Sequence, residues 1–139
     1  MKRRSLLAGL GGATISVSGC LSVLGRGCAV EDFHVGMTPT EFEPRELTVD
    51  VGTTVVWLNN SDRAHTVTAF DGPLPEGAEY FASGDYDSEE EAREAWRDGG
   101  GAIYTCETYE HTFEQPGEYP YVCIPHEVAS MVGTVIVEE

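Results

Sequence analysis

The sequence predicts an all-β fold, a sandwich or barrel of short strands, with one short helix inserted. β-Branched and aromatic runs recur along the chain, and turn residues such as those at 59–62 separate them at close spacing. One segment between the strands instead carries the capping signals of a helix. The length of 139 residues suits a single domain.

Alternation of apolar and polar residues marks a first clear strand at 47–51, which Gly52 brings to a turn. Trp57 and Phe113 lie at later strand positions and are expected in the core, where single strand aromatics usually pack. The full set of strands after the first is expected at 54–58, 65–70, 110–113, 118–123 and 133–137.

The strand at 118–123 has a further consequence for the core. Its period of two places Tyr119, Tyr121 and Cys123 on one face, which we expect to face inward. Pro120 in the same strand has no N–H for a sheet ladder. It therefore indicates either a bulge or an outward-facing position.

Residues 87–98 are predicted to form the inserted helix. Ser88 is a suitable N-cap, and Glu91 three residues later would complete a capping box. The acidic residues 89–91 favour the positive end of the helix dipole, and Arg97 favours the other end. The outer face is acidic, so the helix is expected to cover the sandwich with this face in solvent. A role in docking a partner is the alternative. The inner face is a narrow apolar stripe of Ala92, Ala95 and Trp96.

The last part of the chain carries a metal-binding motif. Cys123, His126 and Met131 follow one another as Cys-x2-His-x4-Met, and His65 lies upstream. One thiolate, two imidazoles and one thioether form the ligand set of a mononuclear electron-transfer copper site. Such a set accepts both Cu(I) and Cu(II), so the ligands need to move little when an electron is transferred. The motif therefore predicts one copper ion.

Two other chemistries use similar residues. A Cys near a His is also the arrangement of a catalytic thiol and its base, but no signature of such an enzyme accompanies it. Zinc accepts Cys and His, yet structural zinc sites usually have four such ligands, and a thioether favours copper. His34 and His111 lie outside the motif and are expected at the surface or in hydrogen bonds.

The motif and its flanking strands resemble the small blue copper proteins, plastocyanin and most closely the halocyanins of salt-loving archaea. The resemblance covers roughly Phe42 to the C-terminus and implies a Greek-key β-sandwich of cupredoxin type, with no enzymatic activity. Thr66 stands where the family commonly has an Asn that ties the two ligand loops together. The flanking matches are 54–60, Thr112-Phe113, 116–119 and 133–137.

The resemblance also implies how the chain works. Cys123, His65 and His126 would surround the copper, Met131 would be the long axial ligand, and His126 would lie at the solvent edge. A small apolar surface around His126 would dock electron donors and acceptors in membrane redox complexes; its residues are Ile124, Pro125 and Val128. The protein would be a monomeric mobile carrier. The alternatives are a copper-delivery protein of the cell envelope, or a fixed copper subunit of one oxidase.

The N-terminus predicts export. Lys2-Arg3-Arg4 precedes a short apolar run at 6–13, as in a twin-arginine signal. The segment 17–20 ends in Cys20 and resembles a lipobox, so 1–19 would be removed and Cys20 would carry lipid at the outer face of the cytoplasmic membrane. Plain secretion or an uncleaved anchor are the alternatives. Residues 20–30 would form a tether, and 31–139 the copper domain.

Charge and the remaining cysteines complete the prediction. Without 1–19 the chain has 24 acidic side chains against five arginines, a formal charge of −19. This favours solubility in concentrated salt and excludes nucleic acid as a partner, because phosphate binding needs a basic face. Cys28 and Cys106 have no other assigned role and are candidates for a disulfide in an oxidising compartment. Two free thiols, or a lipid site at Cys28, are the alternatives.

Overall fold

The computed structural model describes residues 27–139, which form two four-stranded sheets. The first sheet has the order β2-β1-β4-β6, and the second has the order β3-β8-β7-β5. The strands are β1 (Val35–Met37), β2 (Phe42–Glu43), β3 (Glu46–Asp50), β4 (Thr54–Asn59), β5 (Thr68–Ala69), β6 (Thr108–Thr112), β7 (Gly117–Val122) and β8 (Val132–Glu138). The predicted all-β sandwich with one short helix is confirmed.

Both sheets contribute to one core. Trp57 on β4 lies at its centre, with ring centroids 5.4 Å from both Tyr109 and Tyr121. Tyr119, Tyr121 and Cys123 are all buried, as the alternation along their strand predicts. Because Cys123 follows β7 directly, the packing of that strand fixes where its sulfur lies.

Pro120 is accommodated in β7 without a bulge. It lies opposite Thr134 of β8, and the Thr134 N–H donates to Arg45 O on the far side of β8. The Pro120 position therefore makes no ladder bond to β8, and its nitrogen faces the other neighbour, β5, which ends at Ala69. The Pro120 carbonyl accepts the Phe70 N–H just beyond the end of β5, so the strand needs neither a bulge nor an open edge at this position.

The strand expected at 65–70 is the main difference from the sequence prediction. Only Thr68–Ala69 form a strand, and His65 makes an isolated bridge to Ile103. The Thr66 N–H donates to Cys123 Sγ, and the Val67 N–H donates to Ser83 Oγ. Because a sulfur and a hydroxyl accept these bonds, the backbone here does not join a ladder.

The inserted helix, α1, spans Glu89–Trp96 and is shorter than the predicted 87–98. Ser88 is the N-cap, and its side chain accepts the Glu91 N–H at 3.1 Å. The Glu91 carboxylate accepts from the N–H of Asp87, one residue before the cap. Ala92 is buried and the other two residues of the apolar stripe are half-buried, whereas most acidic residues of the helix are exposed. None of the helices among residues 27–139 has the length and hydrophobicity of a transmembrane span.

Candidate metal centre

Three of the predicted ligands converge at one end of the sandwich. The ligand atoms of His65, Cys123 and His126 all lie within 4.8 Å of one another. Cys123 Sγ is 3.4 Å from Nδ1 of His65 and 3.4 Å from Nδ1 of His126. Each residue comes from a different local setting, since His65 follows β4, Cys123 directly follows β7, and His126 lies in a 3₁₀ segment, Ile124–Ala129.

Met131 closes the C-terminal ligand loop. The Cys123 N–H donates to Met131 O at 3.0 Å, and the Met131 N–H donates to His126 O at 3.3 Å. The Met131 side chain is fully buried and belongs to the same core cluster as Cys123. The same backbone hydrogen bonds therefore hold the thioether residue, the thiol residue and the second histidine in one closed loop.

Burial sets the charge of the site before any metal binds. It raises the pKa of the Cys123 thiol to about 11, although the hydrogen bond from the Thr66 N–H acts in the opposite direction. Burial, helped by the nearby His126, lowers the pKa of His65 to about 4. Near neutral pH the imidazole is therefore free to bind a cation, and the thiol must release its proton to do so.

The donor set fits copper. Two imidazole nitrogens and one sulfur converge in a largely buried site, and the remaining ligand of the motif is a buried thioether. Soft sulfur ligands suit Cu(I), imidazole also suits Cu(II), and a trigonal set with a weak axial thioether is typical of blue copper sites. The residues present therefore match the cofactor that the motif predicts.

Thr66 makes the tie between the two ligand loops. Its hydroxyl accepts the Ile124 N–H at 2.9 Å, and its own N–H donates to Cys123 Sγ at 3.4 Å. The side chain thus reaches the loop of Cys123 and His126 from the loop of His65. A hydroxyl here does the work that an Asn side chain does elsewhere in the family.

Two residues near His65 were not recognised from the sequence. Ser61 Oγ lies 3.0 Å from His65 Nε2, and Asn59 Oδ1 lies 2.9 Å from Ser61 Oγ. Both belong to a segment that the sequence indicates only as a turn. The short spacing between an Asn, a Ser and a ligand His is the one sequence signal by which they could have been found.

The surface beside His126 combines apolar and charged groups. Val128 is 98% exposed, whereas Ile124 and Pro125 are half-buried. The intervening Glu127 is held by Arg93 of α1 through a paired contact of 2.8 and 3.2 Å. Arg93 also contacts Glu89 on its own helix at 2.9 Å. The helix insertion is therefore connected directly to the ligand loop.

The other singled-out residues lie away from this cluster. His34 is exposed, and its Nδ1 accepts the Val56 N–H. His111 stacks on Phe81, with ring centroids 4.8 Å apart. Cys28 and Cys106 form a disulfide with an S–S distance of 2.13 Å. The predicted lipid site at Cys20 lies outside the described residues.

The two-sheet fold and the largely buried His-Cys-His cluster define a copper-binding protein of cupredoxin type. The family model for copper binding proteins of the plastocyanin/azurin family matches residues 31–138. The chain belongs to this family, whose members carry electrons on one copper ion and are not enzymes.

Individual relatives agree with this assignment. A plastocyanin from Scenedesmus fuscus is 32% identical over 97 residues, covering 70% of this chain and 86% of that protein. A halocyanin from Natronomonas pharaonis is 38% identical over 98 residues, covering 70% of this chain and 48% of that protein. A solved Cu(I) structure of an amicyanin mutant is similar with a TM-score of 0.57 and 28% identity, covering 79% of this chain and 87% of that one.

Proposed function

We propose that this protein is a mobile single-electron carrier that shuttles electrons between membrane redox complexes. The proposed ligands of its copper ion are His65, Cys123, His126 and Met131. The observation that carries the proposal is the convergence of three donor atoms within 4.8 Å, two of them on fully buried residues. When bound, copper supplies the one-electron couple.

The chain's own contribution is to hold the donors still. Backbone bonds from Cys123 to Met131 and from Met131 to His126 fix the ligand loop, and the Thr66 hydroxyl ties it to the His65 loop. The Thr66 N–H points at the sulfur and offsets part of the charge of a thiolate there. Donors fixed in this way need not rearrange when the charge of the site changes, which favours fast transfer.

The visible spectrum of copper-loaded, oxidised protein tests the site. Thiolate-to-copper charge transfer should give an intense band that bleaches on reduction, and Cys123→Ala should abolish it. A copper-loaded wild type without such a band would refute the blue-site assignment. Met131→Leu should retain copper and raise the potential, because a weak donor to Cu(II) is lost. Rapid loss of Cu(I) from wild type to a moderate chelator would instead favour a delivery protein.

The docking surface is proposed to be the apolar patch beside His126. The full exposure of Val128 and the partial exposure of His126 support this, since electrons must leave through an edge that a partner can reach. Val128→Asp should slow transfer to a membrane partner by roughly tenfold, equal to about 1.4 kcal/mol of docking free energy. Neutralising Glu89, Glu90 and Glu91 together is the control and should have a smaller effect at molar salt. A larger effect of the helix variant would move the docking face to α1.

We propose further that Cys20 carries lipid and holds the protein at the outer face of the cytoplasmic membrane. The twin arginines and the 17–20 segment support this. Native protein should partition with membranes, and Cys20→Ser should release it or block processing. Mass spectrometry showing an unmodified Cys20 in the mature protein would contradict the anchor.

The acidic composition supports a working environment of concentrated salt. The segment 85–98 alone contains seven acidic residues. Their repulsion extends about 10 Å at 0.1 M salt and only about 3 Å at 1 M. The melting temperature should therefore rise with salt up to molar levels, and a melting temperature independent of salt would contradict the proposal.

A further inference from the structure

We propose that Ser61, oriented by Asn59, is a positioning residue that selects the metal-binding tautomer of His65. The hydrogen bonds that set the tautomer exist without any metal. The consequence for copper binding rests on the proposed function. Asn59 and His65 are fully buried, and Ser61 is nearly so, so water does not compete with these bonds.

The orientation of the Asn59 amide follows from its neighbours. One end of the amide lies 2.6 Å from Arg63 O and 2.8 Å from Ile103 O. Two carbonyl oxygens require donors, so this end is the NH2 group. The other end, Oδ1, therefore faces Ser61 and accepts its N–H at 2.9 Å.

The direction of the Ser61 hydroxyl follows in turn. Its oxygen lies 2.9 Å from Asn59 Oδ1, and two oxygens at this distance require a proton between them. Because the amide oxygen has none, the single hydroxyl proton of Ser61 points at Asn59. Arg63 O, at 3.3 Å, is a second acceptor for the same proton, and with either acceptor the proton points away from His65.

With its proton committed, Ser61 Oγ is left with two lone pairs. The Arg63 N–H donates to one of them at 3.2 Å. The other faces His65 Nε2 at 3.0 Å, so Nε2 must carry the hydrogen. A neutral imidazole has only one N–H, and Nδ1 is therefore unprotonated. That nitrogen is the one 3.4 Å from Cys123 Sγ, facing the other ligands.

His126 has no equivalent arrangement. Within the described part of the chain, its ring makes a single polar contact, from Nδ1 to Cys123 Sγ. One histidine thus has its tautomer and ring orientation set by protein side chains, while the other does not. Partners that hold the second nitrogen of a ligating His typically change metal affinity by about 10–100-fold when mutated.

The test compares Ser61→Ala with Ser83→Ala. Ser83 is another buried serine, whose hydroxyl accepts the Val67 N–H and donates to Gly101 O without touching a ligand. Nitrogen-15 NMR of metal-free protein reports the tautomer of His65. Competition with a chromogenic Cu(I) chelator reports the affinity for the Cu(I) ion.

Wild type and Ser83→Ala should both show His65 with a slowly exchanging Nε2–H. Ser61→Ala should show mixed tautomers, fast exchange of that proton, and a Cu(I) affinity lower by roughly 10–100-fold. An Nδ1–H tautomer in metal-free wild type would overturn the proposal, even if Ser61→Ala failed to fold. Equal losses of affinity in both variants would also overturn it. Failure of the blue-copper assignment would appear separately, as a missing charge-transfer band in wild type.

Discussion

The two histidines of the metal centre lie at equal distances from the cysteine sulfur but in opposite surroundings. His65 is fully buried, exchanges two backbone hydrogen bonds with Ile103, and has its second ring nitrogen on Ser61. His126 is partly exposed on a 3₁₀ segment, beside a fully exposed Val128. The difference separates two tasks, because the buried side keeps the ion in place and the exposed side gives a partner access to it.

Removing each histidine in turn should give the largest difference between the buried and the exposed side of the site. Both His65→Gly and His126→Gly should lose the intense visible band of the Cu(II) protein. Added imidazole should restore it in His126→Gly, because solvent reaches that cavity, and should fail in His65→Gly, where the cavity is closed. The visible spectrum during an imidazole titration measures this. Equal rescue of both variants would show that burial does not distinguish the two sides.

The disulfide braces the buried side and should have the next largest effect. Cys28 and Cys106 lie 78 residues apart, and the Cys106 N–H donates to Asn59 O beside the His65 network. Replacing both with Ser should lower the free energy of unfolding by about 4 kcal/mol, from the entropy of the opened loop. Denaturant unfolding of metal-free protein measures the loss. A loss below about 1 kcal/mol would mean that other contacts already close this loop.

Acid should affect the two histidines unequally. Because burial lowers the pKa of His65 to about 4, the unfolded chain binds a proton below pH 6.5 that the folded chain does not bind. Metal-free protein should therefore lose stability as the pH falls from about 6.5 to 4, by at most about 3.4 kcal/mol. Urea unfolding at several pH values measures this. His65→Gln should remove most of the slope and His126→Gln less, and the reverse order would contradict the comparison.

The ion pair on the exposed side should contribute least. The side chains of Arg93 and Glu127 are 32% and 45% exposed, so solvent screens their attraction. Arg93→Gln should lower the free energy of unfolding by less than about 1 kcal/mol, and by less still at molar salt. Glu127→Gln is the matched change on the other partner. A double-mutant cycle with a coupling energy above about 2 kcal/mol would show that α1 holds the ligand loop firmly.

The sequence predicts some strands of the two sheets better than others. The longer strands at 46–50, 54–59, 117–122 and 132–138 follow from alternation and turn residues, which are local signals. β1 and β2 were not predicted, because strands of three and two residues have too little pattern. β1 pairs with the more distant β4, and β2 pairs in turn with β1. Pairing with a distant segment leaves no local signal in the sequence.

The same limit applies to the metal centre. The spacing of Cys123, His126 and Met131 is visible in one short segment, and His65 was found from its flanking strand. Ser61 was not assigned a role, since Ser near Asn is typical of any turn and its partner nitrogen is defined only after folding. The contact between Arg93 and Glu127 joins positions 34 residues apart, and nothing in either segment indicates it.

The hydrogen bonds that close the segment 123–131 make it a unit that another loop could replace. The pair Val122 and Val132 anchors its two ends in the β7–β8 ladder, and the bond from Cys123 N to Met131 O seals its base. A transplanted segment of different length would meet the same two anchors and the same resident His65. Replacing this segment should therefore change the visible spectrum and the reduction potential of the copper site, while the β-sandwich keeps its fold.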